Sequence, residues 1–192
     1  MKEKYKYIKN ILSHDFVNYL SFYSQHTKDR RVKDTSCGGN KNYGDTKKTI
    51  AIHSADSSVY KNLLHFLHPK IEGESNLNLQ PIYGYSRIYL PGSELKAHKD
   101  RPGCEISVTL TLKYSYTNPN YKWPLCMEDK PIIIESGDGV IYKGCEIKHW
   151  RPIFIQPKPS WHHQVFLHYV DKNGPYKNLK EEHSVHKLNY YE

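Results

Sequence analysis

The stretch Tyr85-Ser-Arg87-Ile-Tyr89-Leu-Pro91-Gly92-Ser-Glu-Leu-Lys-Ala-His98-Lys-Asp100 carries most of the information in this chain of 192 residues. It reads as a short strand, a Pro-Gly turn and a second extended segment ending in His-x-Asp. In an extended strand residues i and i+2 point the same way, so the side chains of His98 and Asp100 can reach one ion. A His-x-Asp pair alone carries little weight, because 12 His and 9 Asp in a chain of this length produce one by chance about as often as not. The surroundings strengthen it. Far downstream, Gly137-Asp-Gly leads into the apolar run Val140-Ile-Tyr142, Gly144 interrupts it, and His149 follows. Two imidazoles and one carboxylate on one side of a metal leave its other side open, a donor set suited to non-haem Fe(II).

Outward from these motifs the chain is a succession of strands. Cys104 to Leu112 is dense in β-branched residues, and His163 to Val170 is another such run. Before Pro81 the pattern is helical. Ser13 is placed as an N-cap with Asp15 in the first turn, Phe16, Leu20 and Tyr23 recur at helical spacing, and the helix fades near Gln25. Residues 27–48 are polar and read as a long mobile loop, followed by a short strand at 49–53. A second helix is expected from Ser57 to Leu67, with Val59, Leu63, Phe66 and Leu67 facing the core and Pro69 ending it. Helices first and strands after give an α+β class in which N-terminal helices buttress one face of a β-sandwich. Residues 174–192 read as a tail or peripheral segment.

Length fits one domain over 1–192. The net charge is +8, but the basic residues are dispersed and the densest run, Lys28 to Asp34, is interrupted by aspartates, so nucleic acid is not an expected partner. Cys37, Cys104, Cys126 and Cys145 show no Cys-x-x-Cys spacing, and reduced thiols in a cytoplasmic protein are expected. No apolar run reaches membrane-spanning length. The histidines at 65, 68, 162, 163 and 168 are expected to be packed or on the surface rather than a second metal site.

From about Tyr83 to Val170 the chain resembles the Fe(II)/2-oxoglutarate-dependent dioxygenases, and among them the prolyl-4-hydroxylase-like group. The resemblance is carried by the Tyr89-x-Pro-Gly92 turn, the His98/Asp100 pair, the Gly137-Asp-Gly approach to Tyr142, and His149; the opening Asn10 to Leu20 is similar as well. It implies a double-stranded β-helix, or jelly roll, with Fe(II) held by His98, Asp100 and His149. It also implies 2-oxoglutarate and O2 as cosubstrates, succinate and CO2 as products, and hydroxylation of an unactivated C–H bond. The substrate would be a peptidyl residue such as proline or a small molecule. Relatives place a basic residue on the strand after the distal His to bind the cosubstrate carboxylate. Here Gln164 and Val165 stand there instead. Arg151 is the first alternative, because it shares the face of His149; Arg87 is second and Lys158 third. Tyr89 is expected to contact the cosubstrate and Tyr142 to wall the pocket. The competing reading is a catalytically idle jelly-roll module that binds a ligand or a protein partner.

Overall fold

The computed structural model describes residues 1, 3–26, 31–34, 51–54 and 57–181. Among them are eleven strands, β1 (Tyr5–Ile8), β2 (Arg31–Asp34), β3 (Ala51–Ser54), β4 (Leu79–Tyr89), β5 (Leu95–His98), β6 (Ile106–Ser115), β7 (Leu125–Met127), β8 (Lys130–Ile132), β9 (Gly139–Lys143), β10 (His149–Arg151) and β11 (Trp161–Asp171), and two α-helices, α1 (His14–His26) and α2 (Ser57–Ser75). The strands form a seven-stranded sheet in the order β1-β9-β6-β11-β4-β3-β2 and a four-stranded sheet in the order β5-β10-β7-β8. Every pairing is antiparallel.

The central strands of the large sheet are two-faced, because side chains alternate along a strand. On one face Val108, Leu110 and Leu112 of β6 and Val165, Leu167 and Tyr169 of β11 join Leu20 of α1 and Leu63, Leu64 and Leu67 of α2 in the main apolar core. The opposite face carries Ser107, Thr109 and Thr111 on β6 and His162, Gln164, Phe166 and His168 on β11, and it looks toward the small sheet. Leu125 and Met127 of β7 pack there against Val140 and Tyr142 of β9.

α1 begins where expected: Ser13 Oγ accepts the Phe16 amide at 3.4 Å and Ser13 O the Val17 amide at 3.0 Å. Its buried residues are Val17, Leu20, Ser21 and Ser24. α2 differs from expectation, since Pro69 does not end it and the helix runs on to Ser75. Proline removes one backbone hydrogen bond, but the extra turns bury Ile71 completely. Glu72 accepts the Leu79 amide at 2.7 Å, and the helix stops at Asn76, in the left-handed region at φ 54°. Phe66 is also not a core residue. It is 68 % exposed and meets the Phe16 ring edge-on, while Tyr60 and Leu64 occupy the buried stripe.

Two strands were not anticipated. β1 pairs with β9 at one edge of the large sheet, and Asp138 fastens it by accepting hydrogen bonds from Tyr7 Oη at 2.6 Å and the Asn10 amide at 2.7 Å. β2, inside the stretch read as a loop, pairs with β3 at the other edge; 27–30 and 35–48, the rest of that stretch, lie outside the described residues. So does 182–192 of the expected tail. The part before it lies on the protein: Glu181 is 3.0 Å from Lys61 Nζ and 3.1 Å from His65 Nε2. Among the described residues no helix is long and apolar enough to cross a membrane, and Cys104, Cys126 and Cys145 are free thiols; Cys37 lies outside the described residues.

Candidate metal centre

His98 ends β5 and His149 begins β10, and the two are direct partners in the antiparallel ladder. Their rings lie 4.3 Å apart. Asp100 stands two residues past His98, beyond the end of β5, and its amide donates to Gly144 O at 2.9 Å. His98 Nε2 and His149 Nε2 are each 3.5 Å from the same oxygen, Asp100 Oδ1. The three side chains are 9 %, 12 % and 4 % exposed, so the cluster is shielded but reachable.

The other ring nitrogens fix the tautomers. His98 Nδ1 lies 2.8 Å from Lys96 O, and His149 Nδ1 lies 3.2 Å from Ile147 O. Carbonyls only accept, so each Nδ1 carries the proton and each Nε2 presents a lone pair toward Asp100, the arrangement metal-binding imidazoles adopt. Burial works to raise the Asp100 carboxyl. When a proton occupies Nε2 in place of a metal, the charge and hydrogen bond of His149 and the hydrogen bond of His98 outweigh it and hold the carboxyl well below its usual range. The group is therefore an anion. The donor set is two neutral imidazoles and one carboxylate, their ligand atoms all within 4.8 Å of one another, and it fits a divalent transition metal.

Gly144 makes room for this cluster. A Cβ built there would lie 2.3 Å from Asp100 Oδ2 and 2.3 Å from Cys104 O. Asp100, Cys104 and His168 also bring ligand atoms together. Ser107 Oγ, however, sits among them, 2.9 Å from Asp100 Oδ2, 2.9 Å from His168 Nδ1 and 3.0 Å from Cys104 O. That group is a hydrogen-bond junction built around a hydroxyl.

Arg151, two residues beyond His149, is 1 % exposed. Its Nη1 donates to Trp123 O at 2.9 Å, and the guanidinium lies over the Trp123 ring, 4.6 Å from the centroid. Burial lowers its pKa, and the titratable groups around it include Tyr89, Tyr116, Cys126, Tyr142 and His162. Among the described residues no carboxylate pairs with it. A buried guanidinium without an acid is costly, which marks the place as suited to an anion. Tyr89 is fully buried beside it and meets Trp123 edge-on at 5.1 Å. Tyr142 packs on His149 with ring centroids 4.8 Å apart. Arg87 is 5 % exposed on β4, opposite Gln164 of β11, with its guanidinium 5.5 Å from the Tyr85 ring centroid. Lys158 is exposed and stands apart from this interior.

Sequence reasoning passed over the row beside Arg87. Gln164 is opposite both Arg87 and Thr111 in the sheet. Both Gln164 amide atoms and Thr111 Oγ1 are buried with no hydrogen-bond partner among the described residues. Buried amides and hydroxyls are nearly always paired, so such a group on an inner face points to a polar ligand. The signal in the sequence was a glutamine and a threonine at the polar positions of strands whose alternate residues are apolar. His162, His163 and His168 are packed as expected, and Tyr116 Oη lies 2.6 Å from His162 Nδ1.

No protein-family profile matches this sequence, and no curated protein matches it. Solved structures do share the fold. The viral collagen prolyl hydroxylase of Paramecium bursaria Chlorella virus-1, solved with 2-oxoglutarate, superposes with a TM-score of 0.59 at 9% identity over 88% of this chain and 96% of that one. A prolyl-4-hydroxylase of Pseudomonas putida gives 0.60 at 14% identity over 87% and 93%. HygX of Streptomyces hygroscopicus, with nickel, 2-oxoglutarate and hygromycin B bound, gives 0.61 at 11% identity over 88% and 84%. The fold is that of the 2-oxoglutarate/Fe(II) oxygenases, prolyl hydroxylases among them.

Proposed function

We propose that this chain, on the double-stranded β-helix of the 2-oxoglutarate/Fe(II) oxygenases, is an Fe(II)- and 2-oxoglutarate-dependent hydroxylase of an unactivated C–H bond. One observation carries the reading: two imidazoles with fixed tautomers and one ionised carboxylate converge at 3.5 Å beside a buried guanidinium that lacks a carboxylate partner among the described residues. His98, Asp100 and His149 would hold the metal. Iron and 2-oxoglutarate, when bound, supply the oxidising chemistry, in which decarboxylation to succinate and CO2 is coupled to hydroxylation.

The protein's own part is binding and exclusion of water. Arg151 would pair with the far carboxylate of 2-oxoglutarate, because planar, always-charged guanidinium suits a carboxylate in a dry site. Gln164, Thr111 and Tyr89 offer further polar contacts from the large sheet, with Arg87 as the second cation. The substitution of glutamine for the basic residue seen in relatives is then balanced by Arg151 from the opposite sheet. Trp123, Phe154 and Phe166 close this end of the interior with apolar rings. The solved structures with this fold act on or bind different substrates by their descriptions, a prolyl residue in two and hygromycin B in the third. A peptidyl proline is the first substrate to test.

The experiment is the visible spectrum of the anaerobic protein with Fe(II), before and after 2-oxoglutarate, with His149→Ala as control. A weak charge-transfer band that needs both components and vanishes in the variant supports the reading. Failure to bind iron sinks it and leaves a binding module on the same fold, for which partner capture is the next step.

A further inference from the structure

We infer that Ser107 and His168 form a positioning relay that reserves one oxygen of Asp100 for the metal. The inference rests on the reading of His98, Asp100 and His149 as metal ligands.

The two carboxylate oxygens of Asp100 have different surroundings. Oδ1 faces both imidazoles at 3.5 Å, whereas Oδ2 is 2.9 Å from Ser107 Oγ. Ser107 Oγ is in turn 2.9 Å from His168 Nδ1 and 3.0 Å from Cys104 O. A serine hydroxyl has one proton, and it bonds most strongly to the charged acceptor. The order that satisfies these groups is donation from His168 Nδ1–H to Ser107 Oγ, and from Ser107 O–H to Asp100 Oδ2. This order leaves His168 Nε2 as a bare lone pair, in keeping with its lack of a hydrogen-bond partner among the described residues in its buried position. A buried unpaired lone pair is tolerated better than a buried unpaired N–H.

The relay is anchored inside the large sheet. Ser107 and His168 are direct partners on β6 and β11, two central strands of the large sheet, whereas Asp100 lies in the connection after β5. The Tyr83 ring covers His168 at 4.4 Å, and Tyr83 Oη is 2.9 Å from Cys104 Sγ, which keeps the junction dry. Gly144 leaves the space that Oδ2 needs to reach Ser107. A carboxylate held in this way binds a metal through one oxygen. Freed of Ser107, it would offer a metal both oxygens.

Co(II) binding by calorimetry and the visible spectrum of the Co(II) protein test this without turnover. Ser107→Ala should weaken Co(II) about tenfold to a hundredfold, the usual effect of losing a group that orients a ligand, and should change the ligand-field bands. His168→Phe should weaken Co(II) as well. His168→Asn, whose amide nitrogen replaces Nδ1 as donor, should recover most of the affinity. Nitrogen-15 NMR of the metal-free parent should show His168 as the Nδ1–H tautomer. An Nε2–H tautomer overturns the relay. So does an unchanged spectrum and affinity in Ser107→Ala, or an asparagine variant no better than phenylalanine. If His168→Phe does not fold, the asparagine and Ser107→Ala arms decide. A parent that binds no Co(II) overturns the metal reading, and the positioning role with it.

Discussion

Single residues at the centre of this protein are set in place by contacts that a sequence does not display. Asp100 is the clearest case: it is held by Gly144, Ser107 and the two imidazoles. Asp100→Ala should abolish iron-dependent turnover while leaving the thermal unfolding of the metal-free protein cooperative; retained turnover would remove Asp100 from the ligand set. Arg151 allows a sharper test. Hydrogen bonds to charged groups are worth about 1.5–3 kcal/mol each, so Arg151→Met should weaken 2-oxoglutarate by about tenfold or more and change Co(II) affinity little. The same variant removes a buried cation with no acid partner among the described residues, so the ligand-free protein should be at least as stable as the parent. If Arg87→Met shows the larger loss of 2-oxoglutarate binding, the order of the two cations is reversed. Ser107 and His168 belong to this scale too, and no spacing in the sequence brings them to Asp100.

At the level of elements, alternation and periodicity were good guides and their exceptions have physical causes. The strands that carry His98 and His149, and the N-cap at Ser13, follow from residue order. α2 shows the limit of a local rule. Proline inside a helix costs on the order of 3 kcal/mol relative to alanine, yet the turns beyond Pro69 bury Ile71 and let Glu72 cap the Leu79 amide. Pro69→Ala should therefore raise the stability to denaturant by about 1–3 kcal/mol, and an unchanged midpoint would mean that the helix has adapted fully to the ring. β1 was illegible for a different reason. Its sequence is rich in lysine and tyrosine, and it becomes a strand because β9 offers it an edge and Asp138 fastens its end.

Across the whole molecule, the large sheet separates two interiors. Its helix side is apolar and self-sufficient, while its other side gathers tyrosines, histidines, Arg151 and the candidate metal ligands between two sheets. That polar interior makes stability depend on pH. His162 is held neutral by burial, with the charge of Arg151 adding to it, so its pKa lies well below the ordinary value near 6.5. The unfolded chain then binds a proton that the folded one refuses, and the urea midpoint should fall as pH drops below about 6.5. His162→Gln should flatten that limb, and an unaltered slope would assign it to other groups. At the alkaline end burial and the hydrogen bond to Asp138 push Tyr7 up to about 12 from 10. Its contribution is present below pH 10 and lost as pH rises toward 12, so Tyr7→Phe should lessen the decline in that window.

The sequence by itself determined the α+β class and the grouping of His98, Asp100 and His149 as candidate ligands, and it put Arg151 forward as the cation two residues beyond His149. These follow from side-chain periodicity and from the donor chemistry of the residue types, both of which are local. Only the tertiary structure decided which groups meet. It set His98 opposite His149 in a ladder, turned both Nε2 atoms onto one oxygen and left Arg151 without an acid among the described residues. It also brought Gln164, Thr111, Ser107 and His168 onto the same inner face. The reason is that strand pairing joins residues far apart in the chain, and the meaning of a buried polar atom depends on whether its partner arrived.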